Sequence, residues 1–231
     1  PVHLKKGWNK VFLKLPVGTF TQPEIRLQKW MFTFVFVTPD GEKAVDGLIY
    51  SPDKTFPVAE PKKIKVACVG NSVTYGYGIE NRETNSYPAQ LQQMLGDKYE
   101  VANFGKSGAT LLRRGHRPYN EQEECRAALD FAADHVVIHL GLNDTDPRDW
   151  PDYRDDFVND YLTLIHAFRR ANPECKIWIC RLTPISHRHP RFKSGTRDWY
   201  WQIQQTIKEI ASIANTGLID LQTGLYDRPD L

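Results

Sequence analysis

The residues able to do chemistry in this chain fall in three short glycine-bearing runs. They are Gly70-Asn71-Ser72-Val73-Thr74-Tyr75-Gly76, Gly105-Lys106-Ser107-Gly108-Ala109-Thr110 and Gly141-Leu142-Asn143-Asp144. Ser72 is a candidate nucleophile, although a serine hydroxyl is weak until a base takes its proton. Attack on an acyl carbonyl also needs N–H donors placed where the negative oxygen forms. Gly108 can bring its backbone N–H close because it has no Cβ, and Asn143 carries a side-chain NH₂. The N–H of Ser72, at the start of a helix, would be a third donor. Taken singly, each residue has a plainer reading. Ser72 is then a helix-capping serine, Asn143 a turn former and Gly108 an ordinary loop glycine; only the three together point to acyl transfer through an acyl-serine.

Several ready-made motifs fail. The nucleophile elbow G-x-S-x-G is not met, because Thr74 stands at its second glycine. Gly105-Lys106-Ser107 ends like a phosphate-binding loop, yet the required earlier glycine is Glu100. No dinucleotide fingerprint starts at Gly70 or Gly76. His187-x-His189 is half a metal site, but it lies among Arg188, Pro190 and Arg191, a cationic setting unfavourable to a divalent ion. No cofactor and no metal are expected.

These three runs sit where alternating strands and helices would put them. From Lys62 onward, strands are expected at Ile64 to Val69, Tyr99 to Phe104, His135 to Leu140, Ile177 to Leu182 and Leu218 to Leu221. Helices are expected from Ser86-Tyr87-Pro88, over Glu121 to Ala133, along the stripe Phe157, Tyr161, Leu164, Ile165 and Phe168, and along Ile203, Ile207, Ile210 and Ala214. Five strands with helical crossovers imply an α/β fold, a three-layer α/β/α sandwich around a five-stranded parallel sheet. In such a sheet ligands bind beyond the carboxyl ends of the strands, where all three runs lie.

Residues 1–60 have a different character. Strand-like runs span Trp8 to Leu15 and Trp30 to Thr38, and the aromatics of Met31-Phe32-Thr33-Phe34-Val35-Phe36 alternate. This stretch reads as the C-terminal part of a β-sandwich accessory module, or as a hairpin packed on the main domain, with Ser51 to Pro61 as linker. Composition adds limits. The chain has 231 residues, 41% hydrophobic and 25% charged, with a net charge of +2, so neither nucleic acid nor an anionic membrane is indicated as a partner. No apolar run approaches a membrane span. Cys68, Cys125, Cys175 and Cys180 form no C-x-x-C pair and read as free, structural thiols. The chain opens on Pro1 with no apolar leader, so targeting is not legible.

The three runs, in order and each after a strand, resemble the site blocks of the SGNH (GDSL-type) hydrolase superfamily over about residues 62–231. Within it, Asn103 to Pro147 looks most like bacterial carbohydrate-directed acetylesterases, including sialate O-acetylesterases. The resemblance implies a flavodoxin-like sheet, Ser72 as nucleophile, and Gly108 and Asn143 as oxyanion donors. It also implies an O-acetylated sugar as small-molecule substrate, further domains in the same protein, and a periplasmic or secreted location. Asn71 stands where the family more often has Asp. The family's D-x-x-H block, which supplies the base and its carboxylate, is not met by any of the seven histidines, so the resemblance implies that these two residues follow Leu231. His116, His187 and His189 are the substitutes within the chain, none with a carboxylate placed by spacing to hold its ring. The alternative is a non-catalytic carbohydrate-binding module, or an inactive fragment, of the same fold.

Overall fold

The computed structural model describes residues 62–186, 196–226 and 228. The readings of residues 1–60 and of His187-x-His189 lie outside these. Pro61–Leu231 forms one compact unit.

Its strands are β1 (Ile64–Gly70), β2 (Tyr99–Gly105), β3 (His135–His139), β4 (Lys176–Arg181) and β5 (Gly217–Asp220). The helices are α1 (Ser72–Tyr75), α2 (Arg82–Asn85), α3 (Tyr87–Leu95), α4 (Glu123–Phe131), α5 (Trp150–Tyr153), α6 (Phe157–Ala171) and α7 (Thr196–Ile213). All strand pairs are parallel, in the order β2-β1-β3-β4-β5. The order reverses at β1, so the crevice of the switch point opens beside the turn that follows Gly70.

The core follows the hydrophobic pattern. Cys68, Val69, Ile138 and Ile179 of the central strands are fully shielded. On α6, Phe157, Tyr161, Leu164, Ile165 and Phe168 are the buried residues, at the i, i+4, i+7, i+8, i+11 spacing of a single helix face. Each such side chain contributes on the order of 1.5–3 kcal/mol by leaving water. Ile203, Ile207 and Ile210 of α7 do the same from the other end of the chain. The four cysteines are free thiols, three of them buried.

Two expected elements differ at their ends. The helix expected over 121–133 covers only Glu123–Phe131, because Gln122 is extended and Ala132 turns left-handed (φ 47°). Ser86 stands at the N-cap of α3, but its side chain makes no capping bond; proline in the first turn sets the helix start instead. On α7, Tyr200 packs into the core. That side chain is buried and its hydroxyl donates to the carbonyls of Leu182 and Thr183.

Candidate active site

Ser72 is the first residue of the one-turn helix α1. Asn71 before it is fully buried and accepts from the Val73 N–H through Oδ1 (3.0 Å), which makes it the N-cap. A neutral amide there holds the turn and cannot act as a base. Neither the hydroxyl nor the N–H of Ser72 has a hydrogen-bond partner among the described residues. The serine is thus presented by its turn rather than tied into it.

The loop after β2 is held directly against this turn. Lys106 N–H donates to the Gly70 carbonyl (2.8 Å). Gly105 permits the approach, since a Cβ there would overlap the backbone of Tyr75. Gly108 follows with φ +79°, a left-handed conformation that glycine adopts without strain. Its N–H, like that of Ser72, donates to no carbonyl among the described residues. The loop after β3 then closes on the same point, because Asn143 Nδ2 donates to the Ala109 carbonyl (2.9 Å). One hydrogen of that NH₂ is used and one is spare. The three runs read from sequence therefore meet at the carboxyl edge of the sheet.

Three carboxylates hold the remainder of the β2 loop, a feature that sequence spacing did not reveal. Asp144, fully buried, accepts from Leu111 N–H (3.0 Å) and Leu112 N–H (2.8 Å), one on each oxygen. Burial pushes its carboxyl up to about 7, against the pull of these two bonds. Asp160 of α6 accepts from Arg113 N–H (2.8 Å). Asp149 takes His116 twice, at its backbone N–H (2.8 Å) and at ring Nδ1 (2.7 Å). Sequence spacing places no carboxylate against His116; the fold supplies one. Asp149 lies 33 residues away in the loop after β3, so only the fold could bring the pair together. The bond puts the proton on Nδ1 and leaves Nε2 as the basic nitrogen.

Asp146 beside this pair is gripped by Arg148 through Nε (2.8 Å) and Nη2 (2.9 Å), which holds its carboxyl well below the usual range. His116, Asp146 and Asp149 are close enough to share an ion, but arginine and histidine donors already occupy both carboxylates. At the end of β5, Asp220 is likewise engaged, with Arg181 and with the N–H groups of Gln222 and Thr223. It is not a free partner for a catalytic histidine.

His139, at the end of β3 and paired in register with Gly70, is buried and accepts from Thr183 N–H at Nε2 (3.3 Å). Desolvation lowers its pKa from 6.5 to about 4. The unfolded chain therefore takes up this proton at higher pH than the folded one. The associated stability is complete above pH 6.5 and is lost as the pH falls toward 4, amounting to roughly 3 kcal/mol. Asp144 acts with the opposite sign, because its folded form gives up a proton only near pH 7. The histidine's share is accordingly a difference between proteins. His139→Gln is expected to lose roughly 3 kcal/mol less than the wild type between pH 7 and pH 4, as read by urea unfolding at both.

Comparison with known proteins identifies the family. Residues 68–231 match the GDSL-like Lipase/Acylhydrolase family. The chain is a member of that family. Over 116 residues this GDSL-like family member is 46% identical to an acetylxylan esterase of Xylanibacter ruminicola, a match covering 50% of the chain and 24% of that protein. The chain thus matches about a quarter of this relative's length. Among solved structures, the fold resembles the aryl esterase of M. smegmatis (TM-score 0.54, 19% identity, 68% of this chain and 83% of that one). It also resembles AlinE4, an SGNH-hydrolase family esterase (TM-score 0.52, 18% identity, 74% and 82%). At these identities the likeness is one of fold.

Proposed function

We propose that this chain carries the nucleophile and oxyanion hole of a serine esterase that removes O-acetyl groups from a carbohydrate. The observation carrying the reading is that strand-end turns bring together Ser72 and Gly108, whose N–H groups are unclaimed among the described residues, and Asn143 with its spare hydrogen. Ser72 Oγ attacks the acetyl carbonyl while a base takes its proton. The three donors hold the tetrahedral oxyanion. Collapse expels the sugar hydroxyl, which recovers the proton, and water then releases acetate by the same route. The acetylxylan esterase relative supports the acetylated sugar as substrate class.

The base is taken to be a histidine, the residue type that the D-x-x-H block of the resembled family supplies. A second reading, favoured by the Asp149 grip on the ring, makes His116 Nε2 the base. The test is labelling by a serine-directed phosphonate in the full-length protein. Label is expected at Ser72 and absent from Ser72→Ala; label elsewhere, or equal uptake by Ser72→Ala, rejects the nucleophile. Wild-type labelling of His116→Gln rejects the second reading.

A further inference from the structure

Exposed apolar side chains are not spread evenly over this surface. Of the ten large hydrophobic side chains exposed among the described residues, four (Val73, Tyr75, Tyr77 and Ile79) lie within seven residues after Ser72. A cluster of this kind marks a binding surface more often than chance exposure does. Its origin is local. Thr74 and Gly76 are buried, while Tyr75 and Tyr77, between and after them, are exposed. Left-handed Gly76 (φ 85°) and Gly78 (φ 78°) flank Tyr77, whose N–H donates back to the Ser72 carbonyl (2.9 Å). The turn closes with Ile79 N–H on the Gly76 carbonyl (3.2 Å).

The rings on this strip differ. Tyr75 is covered on one face by the Arg82 guanidinium, 4.1 Å from the ring centre. Tyr77 is 76% exposed, and among the described residues its side chain has neither a hydrogen bond nor a ring partner. Among the described residues none hydrogen-bonds to or stacks on this ring, yet its backbone is fixed to the Ser72 carbonyl. We infer that Tyr77 is a sugar-stacking platform, on which a pyranose ring of the acetylated substrate lies as its ester reaches Ser72. The aromatic face is negative and a pyranose presents polarised C–H groups on its apolar face, so the two attract while the sugar hydroxyls stay in water. Val73 and Ile79, exposed before and after it in the sequence, add apolar surface to the same turn. The inference rests on the esterase reading above and adds the residue that selects a saccharide over a small ester.

The experiment compares hydrolysis of an acetylated xylo-oligosaccharide with that of 4-nitrophenyl acetate by the full-length protein. Tyr77→Ala is expected to lower the ratio of the two kcat/KM values about tenfold, through KM for the oligosaccharide, on the scale of one aromatic contact. Tyr77→Phe keeps the face and should keep the ratio. Met94→Ala removes an equally exposed side chain on α3 and should leave the ratio unchanged. A ratio unaltered in Tyr77→Ala, or an equal loss on both substrates, overturns the platform while leaving the esterase in place. Failure of the wild type to hydrolyse either ester overturns the esterase reading itself.

Discussion

Replacing Asn143 by alanine is expected to lower kcat by about 10²–10³ in the full-length protein, with KM little changed. The reason is that an oxyanion donor acts where charge develops, so its loss falls on the transition state rather than on substrate binding. Geometry makes the prediction sharper than the residue type alone. One Nδ2 hydrogen of Asn143 is committed to the Ala109 carbonyl, next to Gly108, and this bond orients the other. The amide is therefore pre-aimed, and no reorganisation is needed when the tetrahedral intermediate forms. The same bond predicts a smaller second effect. Alanine leaves the Ala109 carbonyl without its donor, at a cost of about 1–3 kcal/mol in stability. Asn143→Asp retains the size but loses both N–H groups and puts a negative charge beside the developing oxyanion, so its kcat should be at least as low. Turnover within threefold of wild type in Asn143→Ala would remove this residue from the hole.

The part of this site that was legible in the sequence is the part built by strand ends. Ser72, Gly108 and Asn143 each follow a strand, and a parallel sheet brings the ends of adjacent strands to one edge. Period and position were enough for these. The stripe of α6 was equally plain, because five large apolar residues at helical spacing admit one buried face. Other features depended on contacts that no period encodes. Asp144 reaches Leu111 across 33 residues, and Asp149 reaches His116 across the same distance, from a loop that has no repeating pattern. A one-turn helix such as α1 is also invisible to periodicity, since four residues do not complete a stripe. The exposed ring of Tyr77 was hidden for the same reason: its exposure comes from the turn in which it stands, between left-handed Gly76 and Gly78, not from its own type.

The grip of Asp144 carries the largest expected stability effect. Its two oxygens each accept one backbone N–H of the β2 loop, from Leu111 and Leu112, in a place with no access to water. Asp144→Ala strands both donors and opens a void, at roughly 1–3 kcal/mol for each unsatisfied group. A total of roughly 2–6 kcal/mol is a large share of the 5–15 kcal/mol typical of a domain. Asp144→Asn should cost less, because its amide oxygen still serves one N–H while its NH₂ opposes the other, donor against donor. The order wild type, Asn, Ala in urea-unfolding free energy is the expected result. The loop so loosened begins three residues after Gly108, and a displacement of about 1 Å at a reacting centre can cost 10²-fold in rate. Asp144→Asn is accordingly expected to lose activity out of proportion to its stability, under conditions where circular dichroism reports it fully folded. Unchanged kcat in a folded Asp144→Asn protein would mean that Gly108 is positioned by Lys106 and Asn143 alone, and that the carboxylate serves the fold but not the hole.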